Sequence, residues 1–486
     1  MPCVYRLLKK SKFLKIVSLS EAKNLVSCRH FMMNSAKYHG VANRPGPSLR
    51  SGRQQERDMI IPRITATLVV IVYSILSGLE AHALTLHDCI EKALISHPSI
   101  RSAREGMNAG ASRVTQATAP YLPQVQASTG YSENRSLGGA LGDSVTKQYT
   151  TSLSASQVLY DFGKTGNARD AAKFSEQSAE TDVNRVHQEV ILNVKQAYLA
   201  LLQAKKLVAV SEKTLAQSEG HLKQAEAFFH AGSKPRFDVT RAEVDVNNGR
   251  LGMINAQNNV RLKTIALYNA MGLDPQRDIE IEDVLSEQAG MPELEQAQTE
   301  ALKNRPDMLK MESDIEAARA RVKAEQSNYL PTLSANGQYN WAQGTSEMGP
   351  FKGDVQNSWN AGITLSVPLF EGGLTRGKVG EARANQRALE AQRDTLRQSI
   401  LLELNQAYAD LESAQARIQV MESSLKSARE SLALAEGRYE AGVGPTLEVT
   451  DAQVAAAKAE TDHVQALYDY QLAAARLAKA MGKGLE

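Results

Sequence analysis

From Val190 to Ala225 the apolar and small positions recur at alternating intervals of four and three. The series runs Val190, Val194, Ala197, Leu201, Ala204, Val208, Ser211, Leu215, Ser218, Leu222 and Ala225. This is a coiled-coil seam, because a heptad repeat keeps one stripe turned toward a partner helix. The same register returns 210 residues later as Ile400, Leu404, Ala407, Leu411, Ala414, Ile418, Met421, Leu425, Ala428, Leu432 and Ala435. One seam position is nearly always Ala or Ser, so neighbouring backbones can approach closely. No proline falls between Pro123 and Pro235 or between Pro368 and Pro445. A helix running from Lys164 to Phe229 would be about 100 Å long at ~1.5 Å per residue. An ordinary helical bundle is the alternative, but its helices average three to four turns.

Elsewhere the period changes from heptad to two. Leu333, Ala335, Gly337, Tyr339 and Trp341 alternate with Thr332, Ser334, Asn336, Gln338 and Asn340. Trp359, Ala361, Ile363, Leu365, Val367 and Leu369 alternate with Asn360, Gly362, Thr364, Ser366 and Pro368. A weaker version joins Val125, Ala127, Thr129 and Tyr131 to Tyr149, Thr151, Leu153, Ala155, Gln157 and Leu159. Alternating strands of about ten residues with aromatic ends fit an outer-membrane barrel. They also fit a soluble hairpin packed on helices.

The two halves are one unit written twice. His97-Pro98 recurs as Arg305-Pro306, and Tyr121-Leu122-Pro123 as Tyr329-Leu330-Pro331, both at an offset of 208. Leu159 through Gly163 answers Leu369 through Gly373, and Ala231-Gly232 with Pro235 answers Ala441-Gly442 with Pro445, at 210. Ala270-Met271-Gly272 matches Ala480-Met481-Gly482, also at 210. The expected division is 84–290 for the first repeat and 291–486 for the second. Each copy reads as helix, two strands, very long helix, sharp break, long helix.

Composition adds an address. Residues 59–83 hold Met59, Arg63, an apolar run from Ile64 to Leu76, and Ala81-His82-Ala83. Those are the parts of a secretory signal peptide, and the apolar run is short of the ~20 residues of a membrane anchor. Residues 1–58 are a basic extension that makes little sense ahead of such a signal, so translation is expected to start at Met59. The overall net charge of +2 conceals the acidic balance of the body. Of 56 basic residues, 12 lie in 1–58 and one in 59–83; of 54 acidic ones, three and one. The body is therefore net negative, which argues against a nucleic-acid-binding surface. Its single cysteine, Cys89, offers no disulfide framework.

If the strands lie in lipid, four per chain cannot stand alone, because edge groups would go unsatisfied. Closure takes at least ~8 strands, so several copies must contribute.

Duplication, paired strands, long heptad helices and an export signal together resemble the TolC family of outer-membrane efflux proteins. Local landmarks agree over 84–482. They are Leu84 through Ile90 followed by Ala93-Leu94 and His97-Pro98, then Tyr121-Leu122-Pro123, Val367-Pro368-Leu369-Phe370 with Gly372-Gly373, and Tyr439 through Asp451. The resemblance implies a mainly α fold with a small β part. A homotrimer would form a twelve-stranded outer-membrane β-barrel above a periplasmic α-helical barrel, with a mixed belt near 273–300 and the C-terminus. It implies a passive exit duct of a tripartite efflux pump or type I secretion system. The partners would be outer-membrane lipid, a periplasmic adaptor (membrane fusion protein) and an inner-membrane transporter of RND, ABC or MFS type. It also implies pore-constricting carboxylates at Glu448 and Asp451, and gate links at Tyr439 and Asp238. Adaptor contacts would fall at Ala231, Gly232, Ala441, Gly442, Val443, Gly444 and Pro445. Some members carry an arginine partner where this chain has Gly444, so the resting gate is expected to be held differently.

Each of these positions also has a plainer reading. Acids three apart at a helix start are favoured by the macrodipole alone. Gly and Pro at the tips are ordinary turn chemistry. Asp161-Phe162-Gly163 resembles a kinase triplet, but its partner Glu371-Gly372-Gly373 marks it as a strand-to-helix turn. No cofactor, metal or catalytic pattern is expected. The rival function is a secreted periplasmic coiled-coil structural or adaptor protein.

Overall fold

The computed structural model describes residues 84–139, 142–275, 280–285, 290–346 and 355–483. The basic extension and the signal segment lie outside them. Two short helices, α1 (Leu86–Ser96) and α2 (Pro98–Thr118), lead into strands β1 (Gln124–Gly139) and β2 (Gly142–Tyr160). Then come α3 (Lys164–His230) and α4 (Arg236–Met271). The order repeats as α5 (Leu294–Asn304), α6 (Pro306–Gln326), β3 (Thr332–Ser346), β4 (Val355–Ser366), α7 (Leu374–Glu440) and α8 (Thr446–Ala480). Helices α3 and α7 are both 67 residues long, about 100 Å at ~1.5 Å per residue.

Local chemistry sets the boundaries. Helix α1 begins with a capping box, in which Thr85 Oγ1 accepts from Asp88 N at 3.1 Å and Asp88 Oδ2 from Thr85 N at 3.0 Å. Both 67-residue helices are entered through left-handed glycines, Gly163 (φ 85°) and Gly373 (φ 89°). Before the first of them, the Asp161 carboxylate accepts from Thr165 N at 2.8 Å and also from its hydroxyl. Glu371 and Thr375 repeat the hydroxyl contact in the second copy. The kinase-like triplet is therefore a helix entry, as its repeat partner indicates.

The heptad seams are interior. Val190, Val194, Leu201 and Ala204 are buried in the first copy; Ile400, Leu404, Leu411 and Ala414 in the second. Burying each large aliphatic side chain contributes ~1.5–3 kcal/mol. The first core joins the α3 seam to Cys89, Ile90, Leu267 and Met271. The second joins the α7 seam to Ala297, Ala301, Tyr470 and Leu477. Burial pushes the Cys89 thiol up to about 11, so it stays protonated and inert. Within the first repeat, Leu84 bridges Ile281 in parallel, and the fully buried Tyr198 donates toward the Leu84 and Glu282 carbonyls at 3.1 and 2.9 Å.

The four strands form one antiparallel sheet in the order β1-β2-β3-β4. They run 16, 19, 15 and 12 residues, longer than the ten expected. Strand β4 stops at Ser366, although the alternation in sequence runs to Leu369. Pro368 has no N–H to give a ladder, which accounts for the early end. The register joins like to like. Leu153 pairs Ala127 and Tyr339, and Tyr339 pairs Trp359, while Ala155 pairs Val125 and Gly337. On the other face Ser128, Ser152, Asn340 and Ser358 form one row, and Gln126, Ser154, Gln338 and Asn360 another. One side of the sheet is apolar and the other is hydroxyl and amide. Strands β1 and β4 are left as edges within the chain.

Candidate functional site at the hairpin tips

Each long helix reverses through the same turn. At the first, Gly232 (φ 72°) donates to Phe229 O at 2.9 Å and Ser233 N to Phe228 O at 3.0 Å. At the second, Gly442 (φ 78°) donates to Tyr439 O at 3.0 Å and Val443 N to Arg438 O at 3.1 Å. Both are Schellman motifs closed by a left-handed glycine. Pro235 and Pro445 then precede α4 and α8, where a missing N–H costs nothing.

The two tips are tied together. Lys234 Nζ donates to the Gly444 carbonyl at 3.0 Å and stands 5.2 Å above the Tyr439 ring. These two residues occupy equivalent positions in the two copies. Tyr439 is fully buried, with its ring 4.8 Å from His221 and 5.6 Å from Phe228, both edge-on. Further along, Thr450 Oγ1 donates to Asp245 Oδ2 at 3.0 Å, joining α8 to α4. An open cleft of about 310 Å³ follows, lined by Ser211, Thr214 and Ser218 of α3, Asp245 and Gly249 of α4, and Thr450 and Gln453 of α8.

The positions expected from sequence separate here into distinct roles. Tyr439 and Asp238 do come together. Burial raises the Tyr439 phenol above its ordinary pKa, the Thr446 hydroxyl opposes that, and the Asp238 charge adds to it. Yet the Tyr439 hydroxyl completes no hydrogen bond, so the pair is not directly bonded within the chain. Glu448, in the first turn of α8, is half-exposed and pairs with Arg438 Nη1 at 3.2 Å. Asp451 is exposed. The negative charge expected at this level is therefore partly compensated by Arg438. At such exposure the ion pair is worth ~0–1 kcal/mol, so it tunes charge more than it holds the turn.

The expected adaptor-contact positions differ in exposure. Ala231, Gly232, Ala441, Gly442, Val443 and Pro445 are exposed, but Gly444 is buried. Its N–H donates to Arg438 O at 3.0 Å and its carbonyl is taken by Lys234. A Cβ there would lie 3.1 Å from Arg438 Cβ and from Tyr439 N, so an arginine at this position would have to displace the turn. Sequence reasoning missed Arg438, Lys234 and His221. The only signal was weak: two cations flanking the turns and a histidine beside a seam position.

No nucleophile–base pair occurs at the tips. Among the described residues, no group of three or more His, Cys, Asp or Glu is arranged to hold a metal. What the site offers is a pair of packed helical turns, exposed carboxylates at a helix start, and compensating cations.

The sequence model of one family, described as outer membrane efflux protein, matches residues 89–273 and again 298–483. The chain belongs to the outer membrane efflux protein family. Its place is the outer membrane, and it is a transport conduit, not an enzyme. The two matched stretches follow the duplication read from the sequence. The chain is 24% identical to the outer membrane efflux protein BepC of Brucella suis over 86% of its own length and 90% of that protein. It is 28% identical to the protein CyaE of Bordetella pertussis, over 82% and 84%. The fold is similar to the crystal structure of the Campylobacter jejuni CmeC outer membrane channel, with a TM-score of 0.70 and 17% identity, covering 82% and 85%.

Proposed function

We propose that three copies of this chain close one barrel and one helical tunnel, forming an exit duct from the periplasm through the outer membrane. The observation that carries this reading is the sheet. It has an apolar face, a hydroxyl-and-amide face and two bare edges, and it leads directly into two 67-residue helices. An open edge is not tolerated in lipid, so the edges must meet those of other copies. Tyr160 and Tyr149, eleven residues apart on β2, mark two aromatic levels. At a strand tilt of ~40° that spacing gives roughly 25–30 Å of height, matching the apolar band of such barrels. A single chain also leaves an apolar stripe exposed on α4, including Phe237, Val244, Leu251 and Leu262. Adjacent copies packing side by side would cover it.

The duct has no energy source of its own. A periplasmic adaptor and an inner-membrane transporter feed it, and the exposed turns at Ala231-Gly232 and Ala441 to Val443 are the surfaces we assign to the adaptor. Glu448 and Asp451 constrict the periplasmic mouth and favour cations, because rings of carboxylates concentrate negative potential. Tyr439 and Asp238 help hold the resting mouth closed.

Single-channel recording of the purified protein in planar bilayers tests this. Small cation-selective openings are expected. Glu448→Ala/Asp451→Ala should lower the cation-to-anion ratio severalfold, and Arg438→Ala should raise it. Conductance with unchanged selectivity in both variants moves the constriction elsewhere. No insertion by a folded oligomer rejects the duct.

A further inference from the structure

We propose that His221 makes the tip junction pH-sensitive: the neutral imidazole belongs to the closed packing, and protonation releases the second hairpin from the first. This rests on the reading of the tips as the mouth of the duct.

His221 lies near the lower end of α3 and is 5% exposed. Its Nε2 is buried without a hydrogen-bond partner. The ring meets the edge of Tyr439, the side chain that seats α7 against the first hairpin. Beside it the Tyr439 hydroxyl and Thr446 Oγ1 face each other in a contact too poor in geometry for a full hydrogen bond. A buried unsatisfied polar group such as the imidazole Nε2 costs ~1–3 kcal/mol, so the junction is held by aromatic contact and opposed by desolvation. Small added terms decide such a balance.

The charges around the imidazole come from several elements. Asp238 and Asp245 face it from α4, and Asp245 is already engaged by Thr450 of α8. Helix α7 supplies Tyr439, with Glu436 nearby in sequence. The turn supplies Lys234, whose ammonium sits over Tyr439. From α8, Thr446 meets Tyr439 and Thr450 meets Asp245. Burial lowers the imidazole pKa, and the two aspartates offset only part of that.

The sign follows from linkage. In the open mouth the imidazole is solvated and titrates near its ordinary value of about 6.5. In the closed junction it titrates lower. The closed form is therefore fully favoured above that value and weakens as pH falls below it. At pH 5.5 the shift in the closed-to-open ratio is bounded at about tenfold per chain by the solvated imidazole.

Two readouts test this. In planar bilayers, the open fraction of the wild type should rise severalfold between pH 7.5 and 5.5. His221→Gln, which keeps a polar side chain, and His221→Phe, which keeps a planar ring, should both be flat over that range. The second readout needs no conductance. Thr446→Cys, placed in a Cys89→Ala background, is modified with a neutral thiol reagent. At pH 5.5 it should react severalfold faster with His221 present than with His221→Gln, and at pH 7.5 the rates should converge. Equal rates at pH 5.5, an open fraction that falls on acidification, or unchanged pH dependence in both histidine variants overturns the proposal. A labelling difference without any channel in bilayers supports the latch and rejects the duct instead.

Discussion

Leu153→Arg should abolish assembly in the outer membrane, while Asn340→Arg, one row away on the opposite face, should leave most of it intact. Leu153 pairs with Tyr339, and Tyr339 with Trp359, on the apolar face. It lies beside the midpoint between Tyr149 and Tyr160. An arginine on the lipid face at mid-depth costs ~2–4 kcal/mol, and closure repeats the penalty in every copy. Asn340 pairs with Ser152 and Ser358 on the hydroxyl-and-amide face, where a guanidinium meets water. The measurement is the fraction of chain recovered as heat-modifiable oligomer in outer membranes. Equal damage from both variants would mean that the sheet does not divide lipid from water.

Gly482→Ala should destabilise the lower-belt packing by about 2–5 kcal/mol, far more than Gly232→Ala. Both glycines are left-handed, at φ 69° and 72°, so alanine costs ~1–2 kcal/mol at either one. They differ in surroundings. A Cβ on Gly482 would stand 2.9 Å from Arg305 N and 3.0 Å from Asn304 C, whereas Gly232 has nothing within 4 Å. Overpacking against backbone adds ~1–3 kcal/mol. The site also carries an ion network centred on the buried Arg305. Arg305 Nη2 meets Asp307 at 2.7 Å and Nη1 meets Glu403 at 2.6 Å, with the Ala480 carbonyl 3.4 Å away. Displacing Arg305 would strain all three. Gly272 repeats the arrangement, its Cβ position lying 2.8 Å from His97 Cα. Thermal loss of helical circular dichroism should fall to clearly lower temperature in Gly482→Ala and shift little in Gly232→Ala. Matching shifts would place the cost in the backbone conformation alone.

The pairing of Gly482 with Arg305 and of Gly272 with His97 shows what sequence alone could carry. The motifs Ala-Met-Gly and His/Arg-Pro stand out as repeated landmarks, so their existence was legible. Their contact was not, because the partners lie far apart in the chain and neither motif encodes a distance. Long-period features read best. The seam from Val190 to Ala225 and its copy from Ile400 to Ala435 are buried or half-buried at every position, as the heptad requires, since a stripe of that length has one stable use. The strand faces read well for the same reason. Their ends did not, because Pro368 and the bulge beside Tyr160 act locally.

At the tips the legible part was the turn chemistry and the positions of Tyr439, Asp238, Glu448 and Asp451. The cations were not legible. Lys234 reaches Gly444 across the two copies, and Arg438 reaches Glu448 across a turn. His221 adjoins the seam residues Ser218 and Leu222, and only the packing of α7 against it reveals that its ring is enclosed.

Two more copies complete this chain's open sheet. Native mass spectrometry of the complex extracted from outer membranes in mild detergent measures it directly. A complex of three chains that falls to single chains on heating is expected. A folded single chain, or a complex whose chain number is not three, would contradict it.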